Sequence, residues 1–325
     1  MKKIGVVVVN YGDPGDTLEL VQTFIASTSK NEFHLAVVDN ASSLNNLDAL
    51  LEGLDACPMY NNLGEYFEFS LGNIIVNTHN LGYSGGNNVG ISFLVKNTSV
   101  SHIWLINNDT LLFGDSLEAA LDSIEKYPEE IIGGSIIYYD SGKLQCAAGA
   151  SFNELTLTGS YIFECTRSED IRKLNINVVN AKLDYVHGAC IIIPVRIIRK
   201  IGYLEEDYFL YYEEVDFCKR VLRVGGKLVW YPPLRILHKE GRAINGIGYS
   251  EGRSYVSEFH ALKSSFIFAE KWYPGRFPLL VLIRLLGKIL LNIRKQRFGL
   301  IKADLDAFAS YIVSRIRTRK RVKAI

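Results

Sequence analysis

Ile4-Gly-Val-Val-Val-Val9, followed at once by Asn10-Tyr11-Gly12-Asp13, is the stretch that decides how this chain folds. An apolar run without polar alternation, cut off by turn formers, reads as a strand buried on both faces. Preceded by Lys2 and Lys3, it has the outline of a secretory leader, but it stops at Val9, too short for the apolar core of one. The same pattern returns at residues 33–38, which end on Asp39-Asn40, at 73–77, and at 102–106, which end on Asn107-Asn108-Asp109. Between these strands, residues 16–27 carry Leu18, Val21, Phe24 and Ile25 at helical spacing. Residues 44–54 read as a short helix, and 87–96 as another behind a glycine-rich turn. Doubly buried strands alternating with helices imply an α/β fold with a parallel sheet covered by helices. Ligands of such sheets bind beyond the C-terminal ends of the strands. Asn10, Tyr11, Asp39, Asn40, Asn80, Asn107, Asn108 and Asp109 are therefore expected along one rim.

Beyond residue 110 the pattern turns antiparallel. Short apolar segments at 131–139, 144–147 and 161–163 are parted by turn residues, and 185–194 reads as one strand bearing Gly188-Ala189. Helices are expected near 195–201 and 214–224, then a strand at 227–231. One mixed sheet through residue 240, in two halves meeting near 110, is followed by a helical, basic region at 241–325. Five widely spread cysteines with no C-x-x-C pair suggest neither a disulfide framework nor a zinc cage, and fit a reducing, cytoplasmic setting.

The net charge of +1 conceals a division. Residues 271–325 hold 14 Lys/Arg against Asp304 and Asp306 alone, which leaves 22 Lys/Arg and 33 Asp/Glu for the rest. Within that basic region, residues 278–298 form an apolar helix in which Arg284, Lys288 and Asn292 lie four apart on one face. The polar stripe makes it too interrupted for a membrane span. One reading is a helix lying in a bilayer interface, with Arg294-Lys295-Gln-Arg297 and the basic run from Arg315 to Arg321 drawn to anionic lipid. The other is a helix packed on the main domain with a solvated basic end. Charge and amphipathicity together favour the first, a protein peripheral to the inner face of the membrane. No nucleic-acid-binding signature is present, so nucleic acid is not an expected partner.

Four segments carry chemistry. Phe209-Leu-Tyr-Tyr-Glu-Glu-Val-Asp-Phe-Cys-Lys-Arg220 sets Glu213, Glu214 and Asp216 among aromatics. That is either a cleft that moves a proton or holds a cation, or the acidic first turn of an amphipathic helix. Asn107-Asn-Asp109 at a strand end suits a hard divalent cation, or simply a turn. Asp39-Asn-Ala-Ser42 can bind a ligand or cap the helix after it. Asn80-Leu-Gly-Tyr-Ser-Gly-Gly-Asn-Asn-Val-Gly90 allows close backbone approach to an anionic ligand at a helix start. It does not match the dinucleotide fingerprint G-x-G-x-x-G, which argues against a nicotinamide enzyme.

In this order, the segments resemble glycosyltransferase family 2, inverting enzymes of GT-A fold, and in particular its rhamnosyltransferase-like branch. The matching stretches are Val6-Val-Val-Val-Asn-Tyr11, Val37-Val-Asp-Asn-Ala-Ser42, Asn80 to Gly90, Ile106-Asn-Asn-Asp109, Gly188-Ala-Cys190, Phe209 to Arg220, and His238. The resemblance implies a nucleoside-diphosphate sugar as donor, dTDP- or UDP-linked, with Asn10, Tyr11 and Asp39 lining the nucleoside pocket. Asp39 would read a pyrimidine edge, and Asn80 and Gly82 would lie near the ribose and diphosphate. It implies Mg²⁺ or Mn²⁺ on Asp109, with His238 as a further ligand or a structural histidine. Asn107 stands where the family's metal motif carries an acid. The general base falls on Glu214, with Asp216 as substitute and Glu213 orienting acceptor or base. The family pattern has Asp where Glu214 stands. The acceptor would be a saccharide, in all likeness to that branch a lipid-linked one of cell-surface polysaccharide synthesis. A nucleotidyltransferase, or a non-catalytic sugar-nucleotide or glycan-binding protein, is the alternative.

Overall fold

The computed structural model describes residues 3–27, 32–61, 64–239 and 254–322, with the side chains of 60–65 and 317–322 excepted. The sequence boundary at 240 and the basic run from residue 317 onward lie outside what is described.

The first half alternates as its patterning dictates: β1 (Ile4–Asn10), α1 (Gly15–Ala26), β2 (Phe33–Asp39), α2 (Leu44–Gly53), a hairpin of β3 (Cys57–Asn61) and β4 (Gly64–Phe69), β5 (Gly72–Val76), α3 (Gly82–Asn97) and β6 (His102–Ile106). There follow β7 (Thr110–Leu112), α4 (Ser116–Lys126), β8 (Ile131–Tyr138), β9 (Leu144–Ala147), β10 (Gly149–Asn153), β11 (Thr158–Tyr161), α5 (Ile176–Lys182), β12 (Tyr185–Val186) and β13 (Cys190–Pro194). The chain closes with α6 (Val195–Ile201), α7 (Glu213–Arg223), β14 (Leu228–His238), α8 (Tyr255–Trp272), α9 (Phe277–Arg294) and α10 (Phe298–Val322).

The main sheet has the order β3-β4-β5-β2-β1-β6-β13-β8-β14-β7, with β9 paired to β8. β5, β2, β1 and β6 run parallel, in register Ile4↔Phe33 and Ile4↔His102. β13 enters antiparallel to β6, pairing Cys190↔Ile106, and makes the sheet mixed. The C-terminal ends of β1, β2 and β6 and the start of β13 therefore meet on one rim, where the site lies. Val6, Val8, Leu20, Phe24 and Trp104 form the core on one face. Val7, Ile91, Leu105 and Trp230 begin the core on the other, which continues through Phe217 into Leu262, Phe266 and Phe268 of α8, Leu280 of α9 and Tyr311 of α10. The C-terminal helices are thus built into the domain's own core.

Several sequence expectations are corrected. The glycine-rich stretch is not a turn ahead of a helix at 87 but the first two turns of α3. It is helical because the glycines let α3 lie against the sheet: a Cβ on Gly90 would come within 2.5 Å of Val7, and one on Gly86 within 2.9 Å of Val9. Residues 185–194 are two strands in different sheets, broken at His187-Gly188-Ala189. β14 does not stop at 231 but runs through Pro232-Pro233 to His238, shifting register against β8 between Trp230 and Arg235. That register shift accommodates prolines, which cannot donate to a ladder.

In α9 the polar stripe faces inward. Lys288 Nζ lies 2.6 Å from Glu258, and Asn292 donates to Asp304 at 2.8 Å, all four side chains being buried. Leu279, Leu282, Leu286 and Leu290 face out and are 48–64% exposed. The helix packs on the domain with its basic end, Arg294 and Lys295, exposed, and it also presents an apolar face to the outside. Among the described residues no helix is long and apolar enough to cross a membrane.

Candidate active site

A cavity of about 1840 Å³ opens at the rim, with Asn40, Asn80, Gly82, Asp109, Glu213, Glu214 and His238 all in its wall. Asn40 holds the entry to α3 in shape. Its Nδ2 donates to Asn80 Oδ1 at 2.9 Å and to the Gly82 carbonyl at 3.0 Å, while its Oδ1 accepts from Asn77 and from the Leu81 amide. Gly82 takes φ +72°, and a Cβ there would lie 2.2 Å from the Phe209 carbonyl oxygen, so only glycine fits. Tyr11 lies half-exposed on the rim.

Asn10 and Asp39 are placed differently from the sequence reading. Both are fully buried and lie behind the cavity wall. Asp39 Oδ1 accepts from Ser42 Oγ at 2.5 Å and Asn10 Nδ2 at 3.1 Å, and Oδ2 from the Ser42 amide at 3.0 Å. The carboxylate is satisfied by its own turn and shapes the pocket from beneath. Asn108 donates to Thr17 at 3.2 Å, while the buried Asn107 Oδ1 meets no hydrogen-bond partner among the described residues. Asn107, Asn108 and Asp109 all reach the cavity.

Asp109 and His238, from the ends of β6 and β14, meet with His238 Nε2 3.3 Å from Asp109 Oδ1. His238 Nδ1 lies 2.8 Å from Gln145 Oε1; in the tautomer protonated at Nδ1, which that oxygen accepts from, the Nε2 lone pair faces Asp109. One carboxylate oxygen and one imidazole nitrogen aimed at the same point suit a divalent cation. No cluster of three or more His, Cys, Asp or Glu able to hold a metal occurs among the described residues, so these two would supply part of a shell that donor phosphates complete.

Two neighbours escaped the sequence reading. His187 packs its ring 5.9 Å from that of His238 and accepts at Nδ1 from the Ala189 amide; burial holds its pKa down at about 3, so it is neutral. Lys239, its side chain almost wholly buried, is locked to Asp16 and Glu19 of α1. A histidine before Gly188-Ala189 and a lysine after His238 are the only signals that mark them in the sequence.

The acidic pair opens α7. Tyr211 and Tyr212 ahead of it take φ +67° and +73°, a left-handed conformation that costs of order 1–3 kcal/mol for each non-glycine residue. Packing holds it: the Tyr212 ring lies against Phe152 and Phe268, and its hydroxyl donates to the Leu157 carbonyl at 2.5 Å. Burial raises the pKa of Glu213 well above the usual range, and the neighbouring Glu214 raises it further. Glu214 is also raised by burial, but its own helix-start backbone bond and the hydrogen bond from Glu213 pull the other way. Glu213 is the more strongly raised of the two, so Glu214 is the first of the pair to ionise as pH rises. Tyr83, bonded to the Gly188 carbonyl at 2.8 Å, feels Glu213, Glu214 and Asp109 together. The acid pair and the cation-type carboxylate thus face one space.

Asp216 is not part of that space. It is fully buried on the far side of α7, where it takes Arg220 at 2.8 Å, Lys271 at 2.9 Å and Trp272 Nε1 at 2.7 Å. It stands two residues after Glu214, about 200° round the helix, which turns it toward α8, so it anchors the C-terminal helices and does not substitute for the base.

The architecture matches GT-A structures. A solved structure of GalNAc-T7 with UDP, GalNAc and Mn²⁺ aligns with 84% of this chain and 49% of its own, at TM-score 0.59 and 14% identity. Mannosyltransferase PcManGT from Pyrobaculum calidifontis, in complex with GDP-Man and Mn²⁺, aligns with 99% of this chain and 81% of its own, at TM-score 0.52 and 11% identity. In sequence, the low-salt glycan biosynthesis hexosyltransferase Agl10 of Haloferax volcanii is 28% identical over 44% of each chain. The N-acetylglucosaminyl-diphospho-decaprenol L-rhamnosyltransferase of Mycobacterium tuberculosis is 24% identical over 54% of this chain and 58% of its own. The chain thus spans about half the length of the curated relatives it matches. Residues 5–202, well over half of the sequence, match the model of Glycosyl transferase family 2, and the chain belongs to that family.

Proposed function

We propose that this chain is an inverting glycosyltransferase that moves a sugar from a nucleoside-diphosphate donor to a saccharide carried on a lipid. The observation that carries the proposal is the single cavity in whose wall both Glu214 and the Asp109–His238 pair stand. A saccharide acceptor hydroxyl brought to Glu214 gives up its proton as its oxygen attacks the anomeric carbon. Glu213, its pKa raised the more strongly by burial and by its neighbour, stands beside Glu214 and orients the base or the acceptor. The nucleoside end lies along Asn40, Asn80 and Gly82, whose geometry Asn10 and Asp39 support from beneath. Mg²⁺ or Mn²⁺, held by Asp109 and His238, would neutralise charge gathering on the departing diphosphate. Attack from the face opposite the leaving group inverts the anomeric centre.

The GDP-Man and UDP in the solved structures support a nucleotide-linked donor, and the mycobacterial relative supports a rhamnosyl donor and a lipid-linked acceptor. The exposed leucine face of α9 supports a peripheral position on the inner face of the cell membrane. The deciding experiment incubates the protein with dTDP-rhamnose and with UDP-hexoses in Mn²⁺, with and without a lipid-linked saccharide. Acceptor-dependent release of nucleoside diphosphate is the expected result. Donor binding with no release under any condition would leave a sugar-nucleotide-binding protein instead.

A further inference from the structure

The same cavity is walled by three kinds of side chain. Its wall includes the Glu213–Glu214 pair, the cations Arg284, Lys295 and Arg297 of α9 and just past it, and the apolar Val256, Leu291 and Leu300. The cations lie on one stripe of α9 and just past its end, Arg284 and Lys295 being about three turns apart. Lys288, on the same stripe, is already neutralised by Glu258 at 2.6 Å. None of Arg284, Lys295 and Arg297 has a carboxylate within ion-pair distance among the described residues. Arg284 gives only a 3.4 Å bond to the Thr156 carbonyl, and its buried Nε has no partner. Unpaired guanidinium groups on a cavity wall are suited to phosphate oxygens, which they bind as a planar fork.

A second feature points to a ligand on this wall. Gly287 lies mid-helix between the cations and lines the cavity, yet a Cβ there would meet nothing within 4 Å. The fold does not require glycine at this position, where it costs about 0.5–1 kcal/mol relative to alanine. The missing side chain leaves the helix backbone bare at this point of the wall, with open space in front of it. Of the apolar residues in the wall, Val256 and Leu291 are also exposed to the outside, as are Leu290 and Phe298 of the same helical region.

We infer that Arg284, Lys295 and Arg297 form an anion subsite for the diphosphate that joins the acceptor saccharide to its lipid, with the hydrocarbon leaving over Leu291 and Val256. Acidic, cationic and apolar side chains share one cavity wall, as saccharide, diphosphate and hydrocarbon are joined in one such acceptor. The inference rests on the transferase reading for what the saccharide end does, but the subsite is defined by its own binding chemistry.

Farnesyl diphosphate in dilute solution is the probe, titrated into the full chain by calorimetry beside farnesol and beside UDP with Mn²⁺. Farnesyl diphosphate should bind about tenfold or more tightly than farnesol. An Arg284→Ala/Arg297→Ala double variant should lose about tenfold or more of that affinity, and Gly287→Leu should weaken it by filling the open space in front of the bare backbone. UDP with Mn²⁺ should bind equally to all of these proteins, which also shows that they are folded. Unchanged farnesyl diphosphate affinity in the double variant, equal affinity for farnesol, or displacement by UDP would each overturn the subsite. So would a double variant that loses only its attraction to phosphatidylglycerol vesicles, since the cations would then serve the bilayer surface. Failure of UDP to bind any of the proteins, with the farnesyl diphosphate results intact, would count against the transferase reading alone.

Discussion

Glu213 and Glu214 are adjacent carboxyls at a buried helix start, and burial raises the pKa of both, Glu213 the more strongly. Because both pKa values are raised, the base is lost as pH falls, and kcat/KM should rise with pH along a limb above the ordinary glutamate value of about 4.3. Glu214→Gln should lower kcat by about 10²–10⁴-fold with donor affinity retained. Glu213→Gln tests the other member through stability. A carboxyl whose folded pKa is raised stabilises the fold fully below its unfolded value, and that contribution is lost as pH rises through the folded one. The Gln variant should therefore melt about 2–4 °C higher than wild type at pH 8, and the difference should vanish below about pH 4. Asp216→Ala should do the reverse of a catalytic lesion. It strands Arg220 and Lys271 and should cost about 3 kcal/mol in chemical denaturation, while kcat of the folded fraction changes little. The sequence shows that these three acids stand together; it does not show that Asp216, two residues on from Glu214, is claimed by Arg220, Lys271 and Trp272 on the other side of α7. Nor can it show that Ser42 satisfies Asp39, because that depends on the turn closing back on its own strand end.

At the scale of elements, the strands buried on both faces were legible because their apolar runs have no polar alternation to confuse the period. The hairpin of β3 and β4 was not, since Cys57-Pro-Met-Tyr-Asn61 mixes polar and apolar residues at a sheet edge where neither face is fully covered. α3 was half legible. Glycine is a poor helix former, and what overrides that preference is the approach of the helix to Val7 and Val9, a tertiary fact. The same contacts make a prediction. Gly90→Leu should displace α3 from β1 and lower stability by about 1–3 kcal/mol, read as a fall in melting temperature. Gly82→Ala forces a Cβ onto the Phe209 carbonyl and should weaken donor-nucleotide binding as well, since it moves the Asn80 turn. The stripe of α9 was seen in the sequence, but its direction was not: apolar and polar faces of one helix look alike until it is known which carries Glu258 and Asp304 as partners.

For the molecule as a whole, α9 has a double duty, with one side closing the cavity and the other left uncovered. Leu286→Glu with Leu290→Glu should reduce sedimentation with phosphatidylglycerol vesicles severalfold without altering UDP binding, because neither side chain lines the cavity. The division of the cavity has a further outcome. The family match ends at Gly202, so the nucleotide rim lies inside it, whereas Glu213, Glu214, His238 and all of α8 to α10 lie beyond it. On the proposed reading the nucleotide rim falls mainly in the earlier length of polypeptide and the acceptor wall mainly in the later one, with His238 reaching back from the second to Asp109 of the first. A hybrid joining the first two hundred residues of this chain to the remainder of a cousin should inherit its sugar nucleotide from one parent and its recipient from the other.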